Sequence, residues 1–299
     1  MEDIRLSVAT DVGCIELMHA RLDRRPVPPH IHDEYSISVT LRGGLAFDFK
    51  GSKHLAASGI ISCVAPGEVH NAYAARDGRW EFLNLLVPTL VVKETLGSLD
   101  WSESLPDLPH RVVADPGLVR RLVALHRLLT ATGDLLERQS ARTLVLAEFF
   151  RKHSTARGIS PPITIEKGAV DKARELMHGC FAQSISLAAL ASHAGLSPYY
   201  FLRTFRAAVG MTPHMYLNQL RVLEAKRLLS SGANAAQTAV ACGFCDQSHM
   251  TRQFKRLLFT TPGQYRTEFL NTTKPLPGGR LMTGPTALKT QPWSSPSCR

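Results

Sequence analysis

Two segments of this 299-residue chain share one short design, and this repeat restricts the fold more than any other feature. In each copy, a short alanine-rich helical pattern ends at a glycine, at position 195 or 243, and a second helical pattern follows. Three residue pairs recur 49 positions apart, and these are Arg203 and Arg252, Phe205 and Phe254, and Pro213 and Pro262. Glycine permits the left-handed backbone that a tight turn between helices needs. Each copy therefore predicts a helix-turn-helix, a motif that places its second helix in the major groove of DNA.

A long helix is predicted between the two copies. It begins at Thr212-Pro213 and ends at Gly232, because Pro favours the first helical position and Gly the end of a helix. Its apolar stripe consists of Tyr216, Leu217, Leu220, Leu223, Leu228 and Leu229. About 18 residues at ~1.5 Å each span about 27 Å, so the two recognition helices could enter successive major grooves, ~34 Å apart. Because these helices differ in sequence, one chain should read an asymmetric site on double-stranded DNA.

The paired motifs lie within a longer pattern that runs through residues 160–268. Its signature residues are Leu187-Ala-x-Leu-Ala-x-x-Ala-Gly195, Ser197-Pro198, Arg203-x-Phe205-Arg206, Gly210-x-Thr-Pro213, Gly243-Phe244, Asp246-Gln-Ser248, Arg252-x-Phe254-Lys255 and Thr261-Pro-x-x-Tyr265-Arg266. This segment resembles the DNA-binding domain of the AraC/XylS family of bacterial transcriptional regulators. It departs from the family pattern at Thr238, His249-Met250 and Phe259, which weakens the match of the second helical pair slightly.

The resemblance implies which side chains meet DNA. Those expected to reach base edges are Tyr199, Leu202 and Arg203 on the first recognition helix and Gln247, Ser248 and Arg252 on the second. Thr251 shares the outward face of the second helix, and the side chains expected to hold phosphates are Arg206, Lys255 and Arg256. Arginine can pair bidentately with guanine, whereas phosphate contacts carry no sequence information. The alternative for each arginine is a solvated helix face, which the recurrence of Arg203 and Arg252 makes less attractive.

Charge is distributed unevenly along the chain. Residues 1–159 hold 19 basic and 19 acidic side chains, whereas residues 160–270 hold 12 and 6. Residues 271–299 add 4 basic side chains and no acidic one. A neutral first part joined to a basic second part is the pattern expected when only the second part contacts phosphates.

The N-terminal part is predicted to be rich in β-structure as far as about residue 88. Ile37, Val39 and Leu41 alternate with polar residues, and a turn is expected at 42–44 before a second alternating strand. Two fragments, Pro28-Pro-His-Ile-His-Asp-Glu-Tyr35 and Pro66-Gly-Glu-Val-His70, resemble the two characteristic stretches of the cupin barrel. In regulators of this kind, such a barrel implies an effector pocket.

Eight side chains are predicted to line that pocket, and these are His30, His32, Glu34, Ser36, Ser38, His70, Trp80 and Phe82. Alternatively, Trp80 and Phe82 are ordinary residues of the hydrophobic core. His30, His32 and Glu34 would share one face of a strand, and His70 could complete a metal site. Enzyme-type cupins place their glutamate four or five residues after the second histidine, and here those positions are Ser36 and Ile37. We therefore expect neither a metal ion nor another cofactor.

The predicted fold has two domains, an all-β cupin-like barrel with a helical pair and an all-α domain with two helix-turn-helix motifs joined by a long helix. Its segments are a barrel at 1–110, a helical pair at 111–153, a linker at 154–165, the double helix-turn-helix domain at 166–270 and a disordered tail at 271–299. The helical pair resembles the family's dimerisation element, which implies a homodimer. Simple packing of the pair onto the barrel would use the same apolar pattern.

The function expected from the sequence is that of a ligand-responsive transcriptional regulator without catalytic activity. Its expected partners are double-stranded DNA and a small polar effector such as a sugar or an amino acid, with RNA polymerase as a further candidate. A cupin-type metalloenzyme and a constitutive DNA-binding protein are the alternatives. The chain has no run of about 18 apolar residues and no signal-peptide pattern at its start, so we expect a cytoplasmic protein without membrane contact.

Overall fold

The computed structural model of the chain describes residues 3–23, 26–49, 52–75, 78–97, 105–155, 167–258 and 260–272. Most of the predicted linker and nearly all of the predicted tail lie outside these residues. The chain divides into two compact units, one of residues 1–165 with 196–204 and one of residues 166–195 with 205–299. No helix among the described residues is both long and apolar enough to cross a membrane.

Over its described residues up to 155, the first unit contains nine strands, a 3₁₀ turn at Thr10–Val12 and three α-helices. Its strands are β1 (Asp3–Ala9), β2 (Ile15–Leu22), β3 (Val27–His30), β4 (Tyr35–Phe49), β5 (Ser52–Ala57), β6 (Ile61–Val64), β7 (His70–Ala74), β8 (Trp80–Val87) and β9 (Val112–Val113). The helices are α1 (Thr89–Gly97), α2 (Pro116–Thr130) and α3 (Leu135–His153). The main sheet has the strand order β1-β2-β8-β4-β6-β9, and every strand pairing among the described residues is antiparallel.

Strand β4 differs from the sequence prediction, because the turn expected at 42–44 does not form. The strand continues from Tyr35 to Phe49 and changes partners on the way. Its first half pairs with β6 and β8, and its second half pairs with β5 and β7. The pairing with β8 shifts its register between Thr40 and Arg42 and ends at Gly43, and the pairing with β5 begins at Gly44. One long strand thus belongs to both layers that enclose the interior of this unit.

Alternation along the strands separates two apolar clusters. On β8, Leu85 and Val87 join the cluster that packs against α2 and α3, whereas Trp80 and Phe82 belong to a second cluster with Phe47 of β4. Successive side chains of a strand point to opposite faces, so one strand serves both clusters. The helical pair therefore covers one face of the sheet, and the other face bounds the interior of the barrel.

Helices α2 and α3 begin where the sequence predicts. Asp115 caps α2 by accepting a hydrogen bond from the backbone amide of Leu118 at 2.9 Å. Asp134 caps α3 in the same way from Glu137 at 3.2 Å. The buried side chains of the pair include Leu122 and Phe149, which pack with the strands. Packing onto the sheet thus accounts for much of the apolar pattern that also suggested a dimer interface.

The described residues from 167 onward form helices and their connections, and no strand occurs among them. The helices are α4 (Lys167–Cys180), α5 (Leu187–His193), α6 (Pro198–Val209), α7 (Pro213–Ser230), α8 (Ala235–Ala241), α9 (Gln247–Leu258) and α10 (Pro262–Thr272). Helix α7 is the predicted connector and has 18 residues. Its first turn is capped by Thr212, whose hydroxyl accepts a hydrogen bond from the Met215 amide at 3.3 Å.

The buried face of α7 is not the predicted stripe of leucines alone. Leu223 is 60% exposed, while Arg221 is fully buried. The guanidinium of Arg221 donates to the backbone carbonyls of Phe181, at 2.8 Å, and Gln183, at 3.0 Å. Buried charge is tolerated when its donors are satisfied, so Arg221 connects α7 to the segment that precedes α5.

Candidate DNA-binding surface and effector cavity

Two helix-turn-helix units form among the described residues after 166, one from α5 and α6 and the other from α8 and α9. Their turns contain Gly195 and Gly243, with left-handed φ values of +70° and +73°. The two glycines differ in their surroundings. A Cβ added to Gly243 would lie 2.4 Å from the carbonyl oxygen of Ala182, whereas one added to Gly195 would meet no atom within 4 Å. Both positions require the left-handed backbone that glycine adopts readily, and at position 243 there is also no room for a Cβ atom.

Helix α9 presents a polar outer face and an apolar inner face. Its buried side chains are His249, Met250 and Phe254. Asp246 caps the helix, with its carboxylate accepting from the His249 amide at 2.6 Å. The predicted DNA-contact residues that lie exposed on this helix are Gln247, Ser248, Arg252, Lys255 and Arg256. Thr251 is partly buried, and its hydroxyl donates to the Gln247 carbonyl at 2.8 Å.

Helix α6 presents its predicted DNA-contact residues less uniformly. Arg206 is exposed and Arg203 is partly exposed, with the Arg203 guanidinium 5.6 Å from the centre of the Tyr199 ring. Tyr199 and Leu202 are 9% and 2% exposed. A groove contact from either of these two side chains would require it to become exposed, so both contacts stay predictions.

The cations on the two recognition helices are not neutralised by the described carboxylates. Among the described residues from 167 to 272, the ion pairs are Arg174 with Asp171 and Arg227 with Glu224. None of the basic side chains of α6 or α9 takes part in them. Unpaired cations on an exposed helix face can exchange their counterions for phosphates, which is the main source of affinity for DNA.

A cavity of about 230 Å³ lies inside the first unit. Seven of the eight predicted effector residues line it, and these are His30, His32, Ser36, Ser38, His70, Trp80 and Phe82. The residues of the lining that sequence reasoning missed are Met18, Val27, Leu45, Phe47, Ser62, Val64, Asn71, Ala72, Asn84 and Leu86. Asn84 and Leu86 continue the alternation that begins at Trp80, so period two along β8 could have identified them.

The cavity has a polar side and an aromatic side. The hydroxyls of Ser36 and Ser38 both donate to the side-chain oxygen of Asn84, each at 3.0 Å. The rings of Trp80 and Phe82 are stacked, with centroids 4.5 Å apart and an interplanar angle of 14°. Such a lining fits a ligand that makes a few directed hydrogen bonds and also offers an apolar surface.

Three histidines meet at the cavity, and Glu34 does not join them. Strand β3 ends at His30, which lies opposite His70 of β7 in the antiparallel register. His32 and Glu34 lie in the irregular segment before β4, so the prediction that they share a strand face with His30 is wrong. Glu34 contributes its backbone carbonyl, which accepts from Nδ1 of His32 at 2.7 Å. Burial lowers the pKa of His70, and the neighbouring His30 and His32 act in the same direction.

Comparison with known proteins gives matches in both parts of the chain. A family model of AraC-like ligand binding domains matches residues 13–146, and a helix-turn-helix domain model matches residues 190–268. The HTH-type transcriptional regulator YbfI of Bacillus subtilis (strain 168) is 26% identical over 223 residues, which cover 75% of this chain and 81% of YbfI. The HTH-type transcriptional activator RhaS of Escherichia coli O81 (strain ED1a) is 23% identical over 278 residues, covering 82% of this chain and 90% of RhaS.

Among solved structures, the DNA-binding domain of AdpA in complex with a target DNA is similar to this chain. It is 27% identical, and the match covers 37% of this chain and 98% of that domain with a TM-score of 0.34. The two family models match separate parts of one chain, in the order ligand-binding domain and then helix-turn-helix domain, and both named relatives are HTH-type transcriptional regulators. The chain belongs to the AraC family of DNA-binding transcriptional regulators, with a ligand-binding domain followed by a helix-turn-helix domain.

Proposed function

We propose that this regulator reads an asymmetric DNA site with two helix-turn-helix units, and that a small polar effector in the barrel cavity controls this binding. The observation that carries the proposal is the presence, in one chain, of a cavity with a polar and an aromatic side and of two helices with unpaired cations. In this proposal the chain regulates transcription and catalyses no reaction.

The spacing of the two recognition helices supports a bipartite site. Helix α7 joins the two helix-turn-helix units and has 18 residues, which corresponds to about 27 Å of helix at ~1.5 Å per residue. Successive major grooves on one face of DNA are ~34 Å apart, so a connector of this length together with its flanking helices suits two adjacent grooves. Because α6 and α9 carry different outward residues, the two half-sites would differ in sequence.

The exposed cations divide into two proposed roles. Arg203 and Arg252 occupy equivalent positions of the two motifs, where a bidentate contact with guanine would discriminate one base pair. Arg206, Lys255 and Arg256 lie on the outward side of the same helices and would hold phosphates. Gln247 and Ser248 stand at the start of α9, where recognition helices contact base edges. We also keep Tyr199, Leu202 and Thr251 as proposed contacts, because the family resemblance and the helical spacing place them on the recognition helices.

The size and lining of the cavity support a small effector with polar groups. A volume of about 230 Å³ is below the ~300–1,000 Å³ of drug-sized ligand sites. The hydroxyls, the Asn84 amide and the imidazoles offer hydrogen bonds on one side, and the stacked rings offer an apolar wall. A sugar or an amino acid has this combination of groups. Such a ligand can control DNA binding only through different affinities for two states of the protein.

A homodimer formed through α2 and α3 remains part of the proposal, as does contact with RNA polymerase. The pair has solvent-facing positions beside those that pack on the sheet; on α2, Arg120, Arg121, Ala124 and Arg127 are exposed. Sedimentation of the full chain at several concentrations would measure its oligomeric state. A monomer at all concentrations would remove dimerisation from the proposal and leave DNA reading unaffected.

Selection of binding sites from random DNA by the full-length chain tests the core of the proposal. We expect two short, different motifs about one helical turn apart. A single motif would mean that one of the helix-turn-helix units contacts only the phosphate backbone of the DNA. No enrichment at low salt, with or without a library of small polar metabolites, would contradict the proposal. Sequence-specific binding that no tested effector changes would favour the constitutive alternative.

Matched arginine variants separate base reading from phosphate binding. Replacing Arg252 by Ala should cost ~1–3 kcal/mol at one base pair and relax specificity there. Replacing Arg256 by Ala should weaken binding to all sequences alike and reduce the salt dependence. Arg227→Ala is the control, because it removes one charge from the same unit at an exposed side chain already paired with Glu224. Uniform weakening by Arg252→Ala would refute its assignment as a base contact.

A further inference from the structure

We propose that His30, His32 and His70 bind a divalent transition-metal ion, and that the remaining coordination positions of the ion open into the cavity. The second half of this statement rests on the proposed effector function. From the sequence alone we expected no metal, because the glutamate of the enzyme-type cupin pattern is missing. The histidines nevertheless come together from three places, which are the end of β3, the segment after it and the start of β7.

The hydrogen bonds of the three rings leave the same nitrogen available on each. Nδ1 of His30 lies 2.9 Å from the Pro28 carbonyl, Nδ1 of His32 lies 2.7 Å from the Glu34 carbonyl, and Nδ1 of His70 lies 3.0 Å from the Glu68 carbonyl. A carbonyl can only accept, so each Nδ1 must carry the proton and each neutral ring has its lone pair on Nε2. Support of a ring by a backbone carbonyl is the usual outer-shell arrangement of metal-binding histidines.

Ring nitrogens of the three histidines lie close together. One such atom from each of His30, His32 and His70, either Nδ1 or Nε2, lies within 4.8 Å of the other two. Ring centroids are 4.3 Å apart for His30 and His70, 4.9 Å for His32 and His70, and 6.1 Å for His30 and His32. Two nitrogens bound to one zinc ion at ~2.0–2.1 Å in tetrahedral geometry are ~3.3 Å apart. Closing the remaining distance requires modest side-chain rotation, and His30 is exposed and free to make it.

The described residues do not supply hydrogen-bond donors to all nitrogens of the three histidine rings. Nε2 of His32 is buried and has no hydrogen-bond partner among the described residues. Three lone pairs that face one another cannot donate to one another, and a buried acceptor without a donor costs free energy. A cation that accepts all three lone pairs resolves this arrangement. Imidazole nitrogen suits Zn²⁺, Fe²⁺, Ni²⁺ and Cu²⁺.

The donor set also indicates what kind of effector such an ion would hold. Glu34 does not line the cavity, and the Glu68 carboxylate is engaged by Arg111 at 2.7 Å and by the Ala65 amide at 3.0 Å. Three neutral imidazoles would therefore leave the full double charge of the ion uncompensated. Its open positions would favour an anionic oxygen ligand, such as the carboxylate of a small hydroxy acid or amino acid. The effector would then be recognised through the metal and through Ser36, Ser38 and Asn84 of the cavity wall.

The test uses the full-length chain without a histidine tag, stripped of metal by a chelator. Co²⁺ is titrated in and followed by its visible absorption, and bound Zn²⁺ is counted by elemental analysis after dialysis. We expect one ion per chain in the wild type. The double variant His30→Gln, His32→Gln should bind at least ~100-fold more weakly, because loss of even a supporting outer-shell group costs ~10–100-fold. His193→Gln is the matched control, since this histidine is exposed in the other unit.

Metal-free wild type and double variant should melt at the same temperature, which shows that loss of binding is not loss of fold. If the double variant is unstable, the single variant His30→Gln replaces it, because this side chain is exposed. Absence of stoichiometric Co²⁺ and Zn²⁺ binding by the wild type would overturn the proposal. Equal binding by the wild type and the folded variant would do the same.

Two further measurements separate this proposal from the proposed function. Glycolate, a small hydroxy acid, should shift the Co²⁺ absorption of the wild type, and an unchanged spectrum at saturating glycolate would remove the open coordination positions from the proposal. DNA-site selection is run on the metal-free and the Zn²⁺-loaded chain. Enrichment without any metal binding would overturn only the metal site, whereas stoichiometric metal without enrichment in either form would count against the regulator's proposed DNA reading.

Discussion

Replacing Gly195 and Gly243 by alanine should affect stability very differently, although both glycines occupy the same place in their helix-turn-helix units. Their φ values are +70° and +73°, so an alanine at either position pays about 1–2 kcal/mol for the left-handed backbone. At Gly195 this is the whole expected cost, because the new Cβ meets no atom within 4 Å.

Gly243→Ala carries a second cost. Its Cβ would lie 2.4, 2.6 and 2.8 Å from the carbonyl oxygen, carbonyl carbon and Cα of Ala182. These atoms belong to the backbone and must move by about 1 Å to reach ordinary contact, and such overpacking costs about 1–3 kcal/mol. The total for Gly243→Ala is therefore about 2–5 kcal/mol, and the difference between the two variants is about 1–3 kcal/mol.

Urea unfolding of the full chain, followed by circular dichroism at a helix-sensitive wavelength, measures both free energies of unfolding. The transition of the helical unit supplies the comparison, since a two-domain chain need not unfold in one step. Equal destabilisation by the two variants would refute the argument from the Ala182 contact. A cost near zero for Gly195→Ala would refute the argument from the left-handed turn.

Two further predictions concern the first unit. Asn84→Ala should lower its free energy of unfolding by about 1–3 kcal/mol, because the Ser36 and Ser38 hydroxyls lose their shared acceptor; Ser38→Ala should cost less, and urea unfolding that ranks the two in the opposite order would contradict this. The pKa of Asp115 is lowered to about 2, first by a backbone amide in the opening turn of α2 and then by Lys152. A lowered folded-state pKa stabilises above the unfolded value of ~3.9 and loses that effect as the pH falls. Asp115→Asn should therefore melt below the wild type at pH 7, with the gap closing between about pH 4 and 2; a gap independent of pH would exclude the charge of Asp115 as its source.

Features that depend on neighbouring residues could be predicted from the sequence. The helix-turn-helix units follow from helical spacing, from capping residues such as Asp246 and from the two turn glycines, and all of these act within about 20 residues of chain. The alternation of Ser36 and Ser38 likewise placed both on one face of β4, although it did not show which face lines the cavity. Each of these inferences needed only the local geometry of a helix or a strand.

Features decided by distant partners could not be predicted in the same way. Gly43 and Gly44 indicated a turn in the sequence. In the structure β4 continues through both residues, because Gly43 pairs with β8 and Gly44 pairs with β5. The leucine pattern of α7 predicted that Leu223 is buried. Arg221 is buried instead, because its guanidinium donates hydrogen bonds to the carbonyls of Phe181 and Gln183, about 40 residues away. Convergence of His32 with His70 depends on an irregular segment, for which sequence periodicity carries no information.

Strand β8 separates the barrel cavity from the apolar cluster that holds the helical pair, and this arrangement bears on how the proposed effector would be sensed. Trp80, Phe82 and Asn84 line the cavity, while Leu85 and Val87 on the opposite face pack in the cluster that holds α2 and α3. Only one layer of backbone separates the two environments. Close-packed interiors transmit small displacements rather than absorbing them, so a ligand that repositions β8 must alter the support of the helical pair. If α2 and α3 form the proposed dimer interface, effector binding and dimer geometry are coupled through this strand.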